Sequence, residues 1–286
     1  MTLVEDATEF VWECYQKHLA SPAAKKPLFV FLNGPQGSGK TYTSRRLEQS
    51  LSVKSDGHVL VASVSIDDFY LTHADQAALA KSHPDNAYWQ GRGLPGTHDL
   101  HLLDSCVHQL LTHDEGTIVF PTYDKARYAG TGDRGLPRSL QLPIDIVVFE
   151  GWFVGYLPLG ETNKSLREAA AEGYGLMEVD EALKSFSQRL WQNKQIPSVG
   201  IVISADVVNV YNWRLEQERA LGLNQGMSDK QVRLFVQRYM PCYHLYYSRL
   251  KSEGFVGHKT LVVEVDHSRK VTGKRFLDAK GAVESK

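Results

Sequence analysis

The chain has 286 residues, with 42% AVILMFWYC and 23% DEKR, a globular composition that excludes disordered, collagen-like and coiled-coil chains. Its 32 Lys and Arg against 33 Asp and Glu leave a net charge of −1, so there is no basic excess to mark a dedicated nucleic-acid binder. Three cysteines far apart, Cys14, Cys106 and Cys242, form neither a disulfide framework nor a zinc motif and read as reduced thiols.

Thr8–Leu19 has helical spacing, and residues 21–27, Ser-Pro-Ala-Ala-Lys-Lys-Pro, read as a linker. This divides the chain into an N-terminal helix and linker, 1–27, and a main domain, 28–286. The start carries Glu5, Asp6 and Glu9, which argues against a secretory or mitochondrial leader. The longest apolar runs, Leu28–Leu32 and Val59–Val64, are too short to span a bilayer. The expectation is a cytoplasmic protein with no membrane and no nucleic-acid partner; oligomeric state is not readable.

Leu28–Leu32, Val59–Ile66, Ile144–Phe149, Val199–Ser204 and Thr260–Val265 are short, apolar, β-branched runs separated mostly by helical stretches. Thr117–Phe120 is a short additional strand. Helical patterns cover Thr41–Leu51, Leu100–Leu111, Met177–Trp191 and Ser228–Glu253, the last opening on a Ser228/Gln231 capping box and interrupted by Pro241. The alternation predicts an α/β fold with a parallel sheet covered on both faces. Two Gly-, Pro- and charge-rich loops, within 84–99 and 121–138, are candidate binding elements.

Gly34-Pro35-Gln36-Gly37-Ser38-Gly39-Lys40-Thr41 fits G-x-x-x-x-G-K-[ST] at every fixed position and lies between a strand and a helix. Glycines let backbone N–H groups close around a phosphate, and the helix start adds its positive end. Lys40 is placed for the β- and γ-phosphates and Thr41 for Mg²⁺. No Asn-Lys-x-Asp guanine motif and no Leu-Ser-Gly-Gly-Gln occurs. Phosphoryl transfer from ATP to a small molecule remains. An ATP-driven regulatory switch is the rival.

The second strand runs into Asp67-Asp68-Phe69-Tyr70, beyond a strand's carboxyl end, where α/β sheets bind ligands. At least one aspartate, Asp67 for preference, can take the proton of an attacking hydroxyl; a helix cap is the competing use. Glu150, ending the third strand, stands where a carboxylate acts on Mg²⁺, directly or through water. Its competing use is a rim ion pair.

These motifs, with Pro121-Thr122-Tyr123-Asp124, resemble the uridine kinase, phosphoribulokinase and bacterial pantothenate kinase superfamily. The similarity is closer to the D-glycerate 3-kinase family and its fungal relatives. It rests on residues 90–99 (Gln-Gly-Arg-Gly-Leu-Pro-Gly-Thr-His-Asp), Tyr123-Asp124-Lys125, residues 150–155 (Glu-Gly-Trp-Phe-Val-Gly), residues 213–218 (Trp-Arg-Leu-Glu-Gln-Glu), and residues 226–229 through Arg238–Pro241. The resemblance implies a P-loop NTPase fold: a five-stranded parallel sheet, Ile144–Phe149 lying between Leu28–Leu32 and Val59–Ile66, and a helical lid and substrate region. It implies Asp67 as general base and lid arginines Arg214 and Arg219, with D-glycerate the first acceptor and pantothenate- or nucleoside-like hydroxyls the alternatives.

From the residues themselves, Arg92, His98 and Lys125 can form a cationic pocket for a carboxylate. Asp68, Tyr70, Asp99 and Tyr123 are further substrate candidates; Asp99 could equally cap the Leu100 helix. Arg214 is either a lid arginine balancing transition-state charge or the partner of Glu218 one turn on. Arg127 and Arg134 read as solvated loop charges. The stripe Tyr239, Tyr243, Tyr246 and Tyr247 reads as core. Gly173-Tyr174-Gly175 carries little information, and no histidine pair has zinc-ligand spacing.

Overall fold

A computed structural model describes residues 2–172, 175–220 and 227–284. Gly173 and Tyr174 of the isolated G-x-G, and Gly226, lie outside the described residues.

The chain opens on α1 (Leu3–Leu19), begun by a Thr2/Glu5 capping box. Strand β1 (Leu28–Asn33) leads through the phosphate loop into α2 (Lys40–Lys54). Strand β2 (Val61–Ser65) passes into a 3-10 turn, Ile66–Phe69, and then α3 (His73–Ser82). Helix α4 (Leu100–Thr112) follows, with β3 (Thr117–Phe120), β4 (Tyr123–Asp124), β5 (Asp133–Arg134) and β6 (Arg138–Gln141). Strand β7 (Ile146–Gly151), α5 (Lys164–Glu172), α6 (Leu176–Arg189) and β8 (Ser198–Ser204) come next. Helices α7 (Asn209–Ala220) and α8 (Asp229–Cys242), a π-helical turn Tyr243–Tyr247, α9 (Ser248–Glu253), β9 (Thr260–Val265) and β10 (Val271–Leu277) complete it.

The main sheet has the order β10-β9-β8-β1-β7-β2. The five strands expected from sequence all run parallel, and β7 lies between β1 and β2 as the resemblance implied. The five-stranded expectation is corrected by β10, which pairs antiparallel with β9 at the edge. Its Val-Thr-Gly-Lys-Arg-Phe-Leu alternates with lysine and glycine, so it lacks the continuous apolar run that marks a central strand.

Both sheet faces are buried, and the strands show it residue by residue. Phe29, Phe31, Val147 and Phe149 join one core with α4, α6, α8 and the tyrosine turn. Leu28, Val30, Leu32, Ile146 and Val148 join the other with Phe10, Val11 and Tyr15 of α1 and Leu47 and Leu51 of α2. Such two-sided burial requires the apolar runs. The Ser228/Gln231 capping box is formed, and Pro241 is followed by the π-helical turn. The tyrosine stripe is buried core, as read. Among the described residues, no helix is long and apolar enough to cross a membrane.

Candidate active site

Register fixes the site. Leu32 and Ser65 both pair with Glu150, so the carboxyl ends of β1, β7 and β2 lie side by side. That brings Gly34, Glu150 and Asp67 to one rim from three distant places in sequence.

At the phosphate loop, Gly37 (φ 82°) and Gly39 (φ 96°) adopt the left-handed conformation, which glycine tolerates without strain. The Pro35 carbonyl accepts from both Ser38 N (3.1 Å) and Lys40 Nζ (3.1 Å). Two donors suited to phosphate oxygens thus converge inside the loop. Burial lowers the Lys40 pKa, against the opposing fields of Glu150 and Asp67. Thr41 Oγ1 donates to Glu150 Oε1 at 2.8 Å. A hydroxyl beside a buried carboxylate is a hard-oxygen donor set that fits Mg²⁺.

Asp67 leaves β2 on the 3-10 turn. Its Oδ2 meets Lys125 Nζ at 2.6 Å, and its Oδ1 accepts from Tyr70 Oη at 2.8 Å. Burial pushes the Asp67 carboxyl up, but the Lys125 charge and the hydrogen bonds from Lys125 and Tyr70 outweigh it and hold the group at about 2. The adjacent Asp68 does other work. It accepts from Ser65 N (3.4 Å) and Tyr123 N (3.3 Å), anchoring the second loop to the turn. Burial first, then Asp67 and Glu150, push it up to about 6 against those two hydrogen bonds. Asp68 thus fills the capping use weighed for the pair, which leaves Asp67 as the candidate base.

Tyr70 lies 4.5 Å from His98 and 5.2 Å from Tyr123, ring to ring. His98 is 5% exposed, and neither ring nitrogen has a hydrogen-bond partner. Burial holds it neutral, at about 3, with Asp67 opposing and Arg134 assisting. A neutral imidazole offers one donor and one acceptor. Tyr123 Oη and Arg134 Nε are likewise buried without partners. Buried polar atoms are nearly always paired in folded proteins, so their grouping around one loop pair makes it a candidate ligand position.

The remaining candidates divide. Arg92 donates to the carbonyls of Gly130 (2.8 Å) and Thr131 and lies over the Tyr123 ring, tying the two loops together. Asp99 caps α4 through Leu102 N (2.9 Å) and meets Arg134 at 3.2 Å. Arg214 pairs with Glu218 and lies 4.7 Å over Phe235, between α7 and α8. Among the described residues it forms no hydrogen bond or ion pair with the phosphate loop, so the intrahelical use is the one seen. Arg219 pairs with Asp229 at 3.5 Å on the surface.

Arg127 stays half-exposed, as read. Arg134 corrects the solvated-charge reading: its side chain is 22% exposed, paired with Asp99, and its backbone pairs with Tyr123 across β4 and β5. Only its recurrence beside Tyr123-Asp124-Lys125 in one loop could have signalled it.

Comparisons with known proteins identify the family. A Zeta toxin family model matches residues 13–90, the stretch holding the phosphate loop and the Asp67 turn. The "Probable ATP-dependent kinase TDA10" of Saccharomyces cerevisiae is 42% identical over 258 residues, covering 86% of this chain and 87% of the relative. The chloroplastic D-glycerate 3-kinase of Arabidopsis thaliana is 33% identical over 253 residues, 85% of this chain and 53% of the relative. The solved D-glycerate 3-kinase of Cryptococcus neoformans var. grubii superposes with a TM-score of 0.84 at 34% identity, over 97% of this chain and 100% of that one.

Proposed function

Because this chain belongs to the family of ATP-dependent P-loop kinases that includes D-glycerate 3-kinase, we propose that its own acceptor is D-glycerate, phosphorylated at the 3-hydroxyl. The chain is an ATP-dependent phosphotransferase with a small-molecule alcohol acceptor; the acceptor's identity is the proposed part. The observation that carries it is the Asp67–Lys125 pair at the rim of the phosphate loop, bordered by the unpartnered ring nitrogens of His98, the Tyr123 hydroxyl and the Arg134 Nε.

In this reading the phosphate loop binds ATP, and Lys40 lies against the transferring phosphoryl group. Thr41 and Glu150 would hold Mg²⁺, which neutralises charge on the phosphate oxygens when bound. Asp67 orients the acceptor hydroxyl in line and takes its proton as the new P–O bond forms and ADP departs. D-glycerate brings a carboxylate, a second hydroxyl and the reacting one. Arg134 and Lys125 suit the carboxylate, while His98 and Tyr123 suit the second hydroxyl. A regulatory switch would have no use for such a cluster.

The test is ADP release with Mg-ATP against hydroxy acids, nucleosides and pantothenate-like alcohols. D-glycerate is expected to stimulate release and yield 3-phosphoglycerate. Stimulation by a nucleoside or pantothenate alone would replace the acceptor. Slow hydrolysis indifferent to every acceptor would favour the switch.

The pH profile offers a second check. Asp68, at about 6, gains a proton as the pH falls and loosens its hold on Tyr123, so kcat/KM should fall with a one-proton slope on the acid side. Asp67, at about 2, stays ionised throughout. In Lys125→Met the ion pair is gone and burial raises the Asp67 carboxyl, so the fall should steepen toward two protons across about pH 4–6. An unchanged slope in the variant would remove Lys125 from this role.

A further inference from the structure

We infer that Arg269, on the turn joining β9 to β10, is a positioning residue for nucleotide binding, holding the apex of the phosphate loop and tying it to lid helix α7. The inference rests on the reading of residues 34–41 as the ATP phosphate site.

Arg269 lies 232 positions from its partner in the loop, yet its Nε donates to the Gly37 carbonyl at 2.7 Å. Its Nη2 meets Glu216 of α7 at 2.7 Å, and the guanidinium lies 5.0 Å over the Trp213 ring, also on α7. Trp213 itself backs the loop: a Cβ built on Gly37 would come within 2.4 Å of the Trp213 Cβ. Trp213 Nε1 donates to the His267 carbonyl at 2.7 Å, fastening α7 to the same turn. One guanidinium therefore joins three elements: the phosphate loop, α7 and the β9–β10 turn.

The turn is built to present it. Asp266 Oδ1 accepts from Ser268 N (2.8 Å) and Lys270 N (2.9 Å), and the Asp266 carbonyl accepts from Arg269 N at 2.9 Å. Arg269 has φ 65°, a left-handed conformation unfavourable for a non-glycine residue. Such strain persists where surrounding structure over-determines it and accompanies functional positions. A turn needing only that backbone would be better served by glycine; the side chain is what arginine adds.

Its effect follows from peptide planarity. The Gly37 carbonyl and the Ser38 N–H belong to one trans peptide and point in opposite directions. With the carbonyl held outward by Arg269, the Ser38 N–H faces inward, onto the Pro35 carbonyl that also receives Lys40. Without Arg269 that peptide can rotate, turning a carbonyl toward phosphate oxygens and a donor away.

The experiment compares wild type, Arg269→Gly and Arg269→Lys by Mg-ATP calorimetry, thermal melting and ATP kinetics. Glycine adopts φ 65° freely, so Arg269→Gly should melt at or above wild type while its Kd for Mg-ATP rises about tenfold. KM for ATP should rise with it, and kcat should change less. Arg269→Lys keeps the charge but cannot span both acceptors, and should fall between. A Kd unchanged in both variants overturns the inference, as does weaker binding accompanied by a lowered melting temperature, which marks a structural role. Failure of wild type itself to bind Mg-ATP overturns the phosphate-site reading and the inference with it.

Discussion

Asp67→Asn is expected to lower kcat by about a hundredfold to ten-thousandfold, while the Kd for Mg-ATP stays within about twofold. The substitution keeps the shape of the side chain and can keep the contact with Tyr70. It removes the charge that pairs with Lys125 at 2.6 Å and the acceptor for the hydroxyl proton. A carboxylate held at about 2 is a weak base in the ground state. That suits phosphoryl transfer, where the loose transition state leaves the proton on the nucleophile until late and positioning does most of the catalysis. Loss should therefore appear in kcat with any acceptor, and less in ATP binding, since the side chain's hydrogen bonds and ion pair go to Tyr70 and Lys125 and not to the phosphate loop. ADP release alongside calorimetry checks it; an active variant would remove Asp67 from the reaction. Asp68→Asn makes the contrast. Asp68 accepts from the Ser65 and Tyr123 amides, so its loss should show mainly as a raised acceptor KM.

The parts of the molecule legible in sequence were those whose physics is local. Apolar strands buried on both faces need runs of Val, Ile, Leu and Phe, so Leu28–Leu32 and the Ile146–Phe149 stretch of Ile144–Phe149 stood out. The phosphate loop was legible for a similar reason: its glycines, lysine and threonine act within eight consecutive positions. The capping box at Ser228 spans four residues and was equally visible. What stayed hidden was made by tertiary contact. Strand β10 alternates because one side faces solvent, and its partner β9 supplies the pairing. The pairing of Tyr123 with Arg134, which draws that arginine into the site, is a two-residue ladder with no propensity of its own to announce it.

The same distinction runs through the site. His98 was a candidate, but its two unpartnered nitrogens depend on Tyr70, Phe153 and Phe186 closing around it. The tyrosine stripe read as core, and it is core. Yet the Tyr243 hydroxyl also accepts from Gln36 N at 3.0 Å, a second hold on the phosphate loop that packing patterns do not encode. Arg269 was invisible altogether, because nothing near it in sequence names Gly37 or Glu216.

Lys40→Met should abolish most transfer and yet leave the folded chain as stable as wild type or more so. Lys40 is buried, with one protein hydrogen bond, to the Pro35 carbonyl. Burial holds its pKa below the ordinary lysine value, despite Glu150 and Asp67. The sign follows: the ammonium is worse solvated in the folded chain than in the unfolded one, so it costs stability at pH values below its unfolded pKa. Methionine fills similar space without a charge to desolvate. Two carboxylates then lose a neighbouring cation, which limits the gain. In catalysis no such compensation exists, because the methionine cannot follow the charge developing on the transferring phosphoryl oxygens. A fall in kcat of about a hundredfold or more is expected, with a melting temperature at or above wild type. Transfer near the wild-type rate would show that the phosphate site does not use Lys40. A sharply lowered melting temperature with it would show that the buried ammonium is there to hold the loop rather than the nucleotide.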